Sequence, residues 1–154
     1  FLRTMHGLGL AYERMRQYEK ADLIYKQILA YNPNDNQGVR ALAIENKLLM
    51  GDYKGILKIC ELFEEDVMPD VLYGKVVALY RLGRKDKAKY SLKEAIEYCP
   101  NVAKELLKKK HSKIQSDMPG TLTFGGEDEA YDYWKRNRVI WTDTELVNFV
   151  KNGL

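Results

Sequence analysis

The chain has 154 residues, 45% hydrophobic and 31% charged, which suits one helical domain with a real core and argues against disorder. A formal charge of +3 is too small to point to nucleic acid by itself. No signal peptide and no apolar run of about 18 residues is read in it, which argues against membrane insertion.

Apolar or small groups at Leu2, Met5, Leu8, Gly9 and Tyr12 recur at helical spacing and predict a first helix over residues 2–15. Arg16-Gln17 interrupts it. Tyr18, Ala21, Ile24, Tyr25, Ile28 and Leu29 predict a second, which stops at Asn32-Pro33-Asn34-Asp35. Gly9 and Ala21 are small where two antiparallel helices are expected to cross, because larger side chains would push the axes apart.

The pattern recurs. Asp35 or Asn36 is expected to cap a helix from Gln37 to Met50, with Ala43, Ile44 and Leu48 inward. Gly51-Asp52 turns the chain, and Tyr53, Ile56, Ile59, Cys60 and Phe63 mark the next helix. That helix is expected to end near Glu65, since Glu64-Glu65-Asp66 opposes the negative end of its dipole. Pro69-Asp70 starts a third copy through Leu72, Val76 and Leu79. Gly83 turns it, and Ala88, Leu92, Ala95 and Ile96 lead to Pro100.

Beyond Pro100 the pattern changes. A short helix is expected over residues 101–111, covering the open end of the stack. Ser116, Asp117, Pro119-Gly120 and Gly125-Gly126 predict a loop over 112–126. Glu127 to Trp141 reads as a helix with Ala130, Tyr131, Trp134 and Arg138 on one side. Thr142-Asp143-Thr144-Glu145 reads as a capping box before a last helix that presents Leu146, Phe149 and Val150.

Aligned on Ala21, Ile56 and Ala88, the units are 35 and then 32 residues apart. With Leu8, Gly9, Tyr12, Tyr18, Ala21, Tyr25 and Pro33 in the first unit, and Gly83, Ala88, Ala95 and Pro100 in the third, the chain resembles the tetratricopeptide repeat family. The resemblance implies an all-α fold: a right-handed superhelix of antiparallel helix pairs, with repeats about 2–35, 36–69 and 70–100. The tail, through Val102, Leu106-Leu107, Phe124-Gly125, Ala130, Tyr133 and Trp141, resembles that of tetratricopeptide-type proteins with a non-repeat helical C-terminus. It implies that the tail folds back onto the repeats and that residues 1–154 form one domain. Since the first residue is Phe1, that domain is expected to be a piece of a longer protein.

In such a stack the first helix of each pair lines the concave face. The groove candidates are His6, Leu10, Glu13 and Arg14, then Ala41, Glu45 and Leu49, then Tyr73, Val77, Tyr80 and Arg81. Tyrosine and arginine combine large contact area with a polar end and make good anchors. The competing reading is that the tail fills the groove and the tyrosines pack against it. The clamp by which some family members hold a chaperone's terminal carboxylate has no counterpart, because its positions carry His6, Leu10, Leu42, Asp70 and Gly74.

Charge is uneven. Residues 81–113 hold 11 basic against four acidic residues, net +7, while the segments before and after are net −1 and −3. The basic residues singled out are Arg84, Lys85, Lys87, Lys89, Lys93, Lys108, Lys109 and Lys110. They read first as a solvated face and second as a patch for nucleic acid or an acidic partner. Lys108–Lys110 also suits a helix C-terminus.

Catalytic chemistry is not legible. His6 and His111 lack neighbours at metal-ligand spacing. No nucleophile sits in a recognisable elbow. Cys60 and Cys99 read as two buried thiols in a reducing compartment rather than a disulfide. Gly125-Gly126 opens a helix as a phosphate loop does, but Glu127, Asp128 and Glu129 would repel an anion and cap the helix instead. The reading is therefore a non-enzymatic, cytoplasmic protein-interaction module without cofactor, binding a peptide or protein segment in its groove. Nucleic-acid binding through 81–113 is the first alternative. A structural spacer or dimerisation domain, with a second copy as partner, is the other.

Overall fold

Helix α1 (Leu2–Arg14) and α2 (Tyr18–Tyr31) form an antiparallel pair in the computed structural model, which describes residues 1–116 and 118–154. Asp117, one of the expected helix breakers, lies outside the described residues. The pair crosses closely at Gly9: a β-carbon there would lie 2.5 Å from the Tyr25 ring. Ala21, Tyr25 and Ile28 of α2 are fully buried.

A second pair follows, α3 (Val39–Met50) and α4 (Tyr53–Leu62). Helix α3 starts two residues later than the pattern suggests. The Asp35 carboxylate accepts from the Val39 and Arg40 N–H groups at 2.7 and 2.9 Å, satisfying two of the helix's free donors from outside it. Asp35 also pairs with the Arg40 guanidinium, which reaches on to Asp66 and ties the loop before α3 to the loop before α5. Gly51 ends α3 at φ 71°, a left-handed backbone that a β-carbon would strain. Asp52 caps α4 by accepting from Gly55 N–H at 3.0 Å. Helix α4 ends at Leu62, three residues before Glu65, ahead of the three acids that oppose its dipole.

The third pair is α5 (Pro69–Arg81) and α6 (Lys85–Tyr98), turned at Gly83. Pro69 sits at the first helical position, where a missing N–H costs nothing. Helix α5 is the most buried element, because α3, α4, α6 and the tail all contact it. Its approach to α3 is set by Gly74, whose β-carbon would meet Ile44 Cγ2 at 2.6 Å. Ile44, Ile56, Val76, Ala88 and Leu92 join the pairs into one apolar core. Burying a side chain such as Ile56 is worth about 2–3 kcal/mol.

The tail holds α7 (Pro100–Leu106), α8 (Glu127–Asn137), a 3-10 turn at Ile140–Thr142 and α9 (Thr144–Gly153). The fold is all-α: nine α-helices and no strand among the described residues, with consecutive helices in contact as stacked pairs. Helix α7 is shorter than the expected 101–111, so Lys108, Lys109 and Lys110 follow a helix rather than end one. The chain is turned there by the buried Glu105 carboxylate, which binds Lys108 Nζ and, at 2.8 Å, His111 Nδ1. His111 then stacks on Trp134 at 3.6 Å.

Among the described residues no helix is long and apolar enough to cross a membrane. Cys60 and Cys99 are buried and unpaired with each other, their thiols directed at the Val71 and Val67 carbonyls.

Candidate functional site

Helices α1, α3 and α5 are the first of each pair and carry the groove candidates; α3 packs on α5, and Glu13 of α1 lies near Glu45 of α3. The tail packs on α5. Tyr73 is fully buried, and its hydroxyl donates to the Cys99 carbonyl at 3.0 Å. Its ring lies 5.7 Å from Tyr133 of α8 and 6.3 Å, edge-on, from Trp141 of the 3-10 turn. Trp141 Nε1 donates to the Tyr133 hydroxyl at 3.1 Å, so the aromatic cluster leaves neither polar tip unmet. Burial pushes both the Tyr73 and the Tyr133 phenols above their ordinary range.

Val77 is 1% exposed. Tyr80 lies at 4.9 Å from the Phe149 ring of α9. Arg81 Nη2 pairs with Asp143 at 2.6 Å. Thus Tyr73 and Val77, expected at a partner surface, sit under the tail, and Tyr80 and Arg81 are engaged by it. Apolar faces on α8 and α9 cover the apolar face of α5 and exclude water from it.

Asp143 also caps α9. Its Oδ1 accepts from the Glu145 and Leu146 N–H groups at 2.9 and 3.3 Å. Burial works against its charge, but the Leu146 N–H and the Arg81 guanidinium hold its carboxyl below the usual range. The capping residue is therefore Asp143 and not Thr142, one position on from the capping-box reading. Inward positions of α8 also differ from expectation. Ala130, Tyr133 and Asn137 are buried, whereas Tyr131 and Trp134 are half-buried and Arg138 is exposed.

Arg136 of α8 was not singled out by sequence reasoning, yet it links tail and repeats. It clasps Asp70 with two nitrogens at 2.7 and 3.1 Å, reaches Glu45 at 3.1 Å and bonds Asp132 on its own helix at 2.8 Å. Burial opposes its charge, but the Asp70 carboxylate outweighs that and holds Arg136 above its ordinary value. The three acids come from α3, α5 and α8, so no local spacing could reveal the cluster.

On α1 the candidates are less covered. His6 and Leu10 are half-buried and Arg14 is exposed, while Glu45 faces Arg136. Ala41 is buried and Leu49 is 40% exposed. Glu13 is pushed up to about 7, first by burial and then by the Glu45 carboxylate, with the nearby Tyr25 hydroxyl partly offsetting both.

Arg84, Lys85, Lys87, Lys89 and Lys93 along α6 are exposed and form no ion pair among the described residues. Lys109 and Lys110 are exposed beyond α7, and Lys108 is tied to Glu105. The Gly-rich loop uses its N–H groups internally. Thr123 N–H donates to Asp128 and Gly125 N–H to Glu129, both at 2.8 Å. The Thr123 N–H holds Asp128 below the usual carboxylate range. Among the described residues no three His, Cys, Asp or Glu side chains gather as a metal site would.

Comparison with known proteins overturns the tetratricopeptide assignment. The family model that matches is described as transcriptional repressor TCF25, and it covers residues 18–154. Helices of 10 to 14 residues joined by short turns give an interval near 34 in any stack of antiparallel pairs, so the spacing reports packing geometry and not lineage. No curated protein and no solved structure matches the chain. Since the match runs from the start of α2 to the end of α9, the chain belongs to the transcriptional repressor TCF25 family.

Proposed function

We propose that the chain is a non-catalytic protein-interaction module serving transcriptional repression, and that it works in the nucleus rather than in the cytoplasm. The family's description supports the setting. We take residues 1–154 as one unit, with a protein or peptide partner contacting what the tail leaves open: His6, Leu10 and Arg14 of α1, edged by Glu45. The observation that carries this is the contrast in burial between the candidates of α5 and those of α1. Tyr73 and Val77 are buried under the tail, whereas Arg14 is exposed and His6 and Leu10 are half-exposed. An arginine beside an apolar residue is a favourable anchor.

The test tethers the chain to a reporter promoter through a fused DNA-binding domain. Repression by the wild type that is lost in His6→Ala/Arg14→Glu, at equal expression, supports the assignment. Absence of repression by the wild type sinks the function, and repression that survives the double change sinks the surface.

A second reading rests on the free basic side chains of Arg84, just before α6, and of Lys85, Lys87, Lys89 and Lys93 within it. Nucleic-acid binding there predicts a mobility shift of labelled RNA or DNA at low salt. The affinity would fall steeply as salt rises and would drop in Lys89→Glu/Lys93→Glu.

A further inference from the structure

The outer helices α2 and α4 stand apart over α3 and leave a groove of about 610 Å³ between them. Its apolar lining includes Leu29, Ala43, Ile59 and Leu62, and Leu62 is 74% exposed. Beneath the rim, Lys47 is buried and bridges Asp22 and Asp52, at 2.7 Å each, and Lys26 pairs with Asp22 at 2.8 Å, so the two acids of this groove are balanced by two lysines. On the α4 rim stand Lys54 and Lys58, exposed and in no ion pair among the described residues. They are four residues apart on one helix face, followed after another turn by Leu62.

A neighbouring groove of about 530 Å³, between α4 and α6 over α5, occupies the equivalent place one pair along. Its rim carries Glu61, Glu64 and Asp86 as well as Lys75, Arg84 and Lys87, so it has no preferred sign of charge. Both grooves have apolar side chains in their lining, and the α2–α4 groove differs in its uncompensated basic edge.

We propose that the α2–α4 groove is a docking site for an acidic amphipathic helix of a protein partner. The apolar face of that helix lies on Leu29, Ile59 and Leu62, and its carboxylates pair with Lys54 and Lys58. Charge complementarity selects this occupant: a basic helix would meet two unpaired lysines, and a wholly apolar one would leave them desolvated. Helix-in-groove recognition needs anchors about one turn apart, which the Lys54, Lys58, Leu62 row supplies. The site is separate from the inner face assigned above and stands or falls without it.

The probe is a fluorescein-labelled synthetic helix of about 16 residues, roughly 24 Å long, with leucines on one face and glutamates flanking them. Anisotropy titration against the whole chain measures its binding. A control peptide replaces the glutamates with lysine, and a single-stranded oligonucleotide serves as competitor. The acidic peptide is expected to bind at least about tenfold more tightly than the basic one, and to lose about tenfold in Lys54→Glu/Lys58→Glu and again in Leu62→Asp. All three side chains are exposed, so circular dichroism should read an unchanged fold. His6→Ala/Arg14→Glu should leave binding intact. No binding of the acidic peptide, equal binding of the basic one, insensitivity to the groove variants, or displacement by the oligonucleotide would each overturn the proposal.

Discussion

Glu13 offers the sharpest test of how the first two pairs fit together. Its carboxyl is raised from 4.5 to about 7 by burial between α1 and its neighbours and by the facing Glu45. A raised carboxyl means the folded state holds a proton more tightly than the unfolded chain does. Stability is therefore greatest below pH 4.5 with respect to this group, and it is lost as pH climbs through about 7. At about 1.4 kcal/mol per pH unit, the separation sets a ceiling of roughly 3 kcal/mol. Because Glu13 keeps some contact with solvent, screening lowers the expected effect to about 1–2 kcal/mol. Glu13→Gln keeps the shape and removes the charge. Urea unfolding followed by circular dichroism should find the variant more stable than the wild type by that amount at about pH 8, and equal to it near pH 4.5. The gain should shrink in a Glu45→Gln background, where the repulsion is already gone. A gain of equal size at both pH values, or a loss at the higher one, would refute the reasoning.

Other perturbations probe the tail and the core. Arg136→Ala leaves the nearly buried Asp70 carboxylate without its two-nitrogen clasp and should cost about 2–3 kcal/mol in urea unfolding, with part recovered by adding Asp70→Asn. Tyr73→Phe loses only the bond to the Cys99 carbonyl and should cost about 1 kcal/mol, whereas Trp141→Ala empties the aromatic cluster and should cost about 3–5 kcal/mol and speed proteolysis within residues 112–126. Burial raises the Cys60 thiol to about 12 and the Cys99 thiol to about 11, so neither should react with a thiol reagent at neutral pH until the chain is unfolded.

The helix pairs were legible because each rests on local patterning. Gly9 against Tyr25, the turn at Gly51 and Pro69 at a helix start all act within a few residues or across one pair. The family was not, because a stack of helix pairs imposes the same interval whatever its ancestry. Small boundary errors have local causes too. Asp35 caps α3 from a left-handed backbone position three residues ahead of the conventional one, which a cap-then-helix reading does not anticipate. Of the candidate site, exposure was legible along α6, where lysines at four-residue spacing cannot all be buried. The cis contact was one of two readings of the tyrosines, and the sequence did not decide between them. Tyr73 carries the same amphipathic signal whether a partner or the tail covers it. Arg136 reads as an ordinary surface residue until α8 is laid across Asp70 and Glu45.

The tail's hold on α5 bears on where any partner can bind. Tyr133, Trp141, Leu146 and Val150 are all buried, each at about 1.5–3 kcal/mol, so the cover is worth up to about 6–12 kcal/mol before its ion pairs. A peptide of micromolar affinity brings only about 8 kcal/mol in total. It would also compete with a segment held at high effective concentration by the chain itself. Displacing the tail would therefore absorb most or all of an ordinary peptide ligand's binding energy. The proposed recognition surfaces are all ones the tail does not cover: α1, the basic row of α6, and the groove between α2 and α4. Of these, the groove alone joins an apolar floor to a charged rim of one sign, the combination that gives a helical ligand both affinity and orientation.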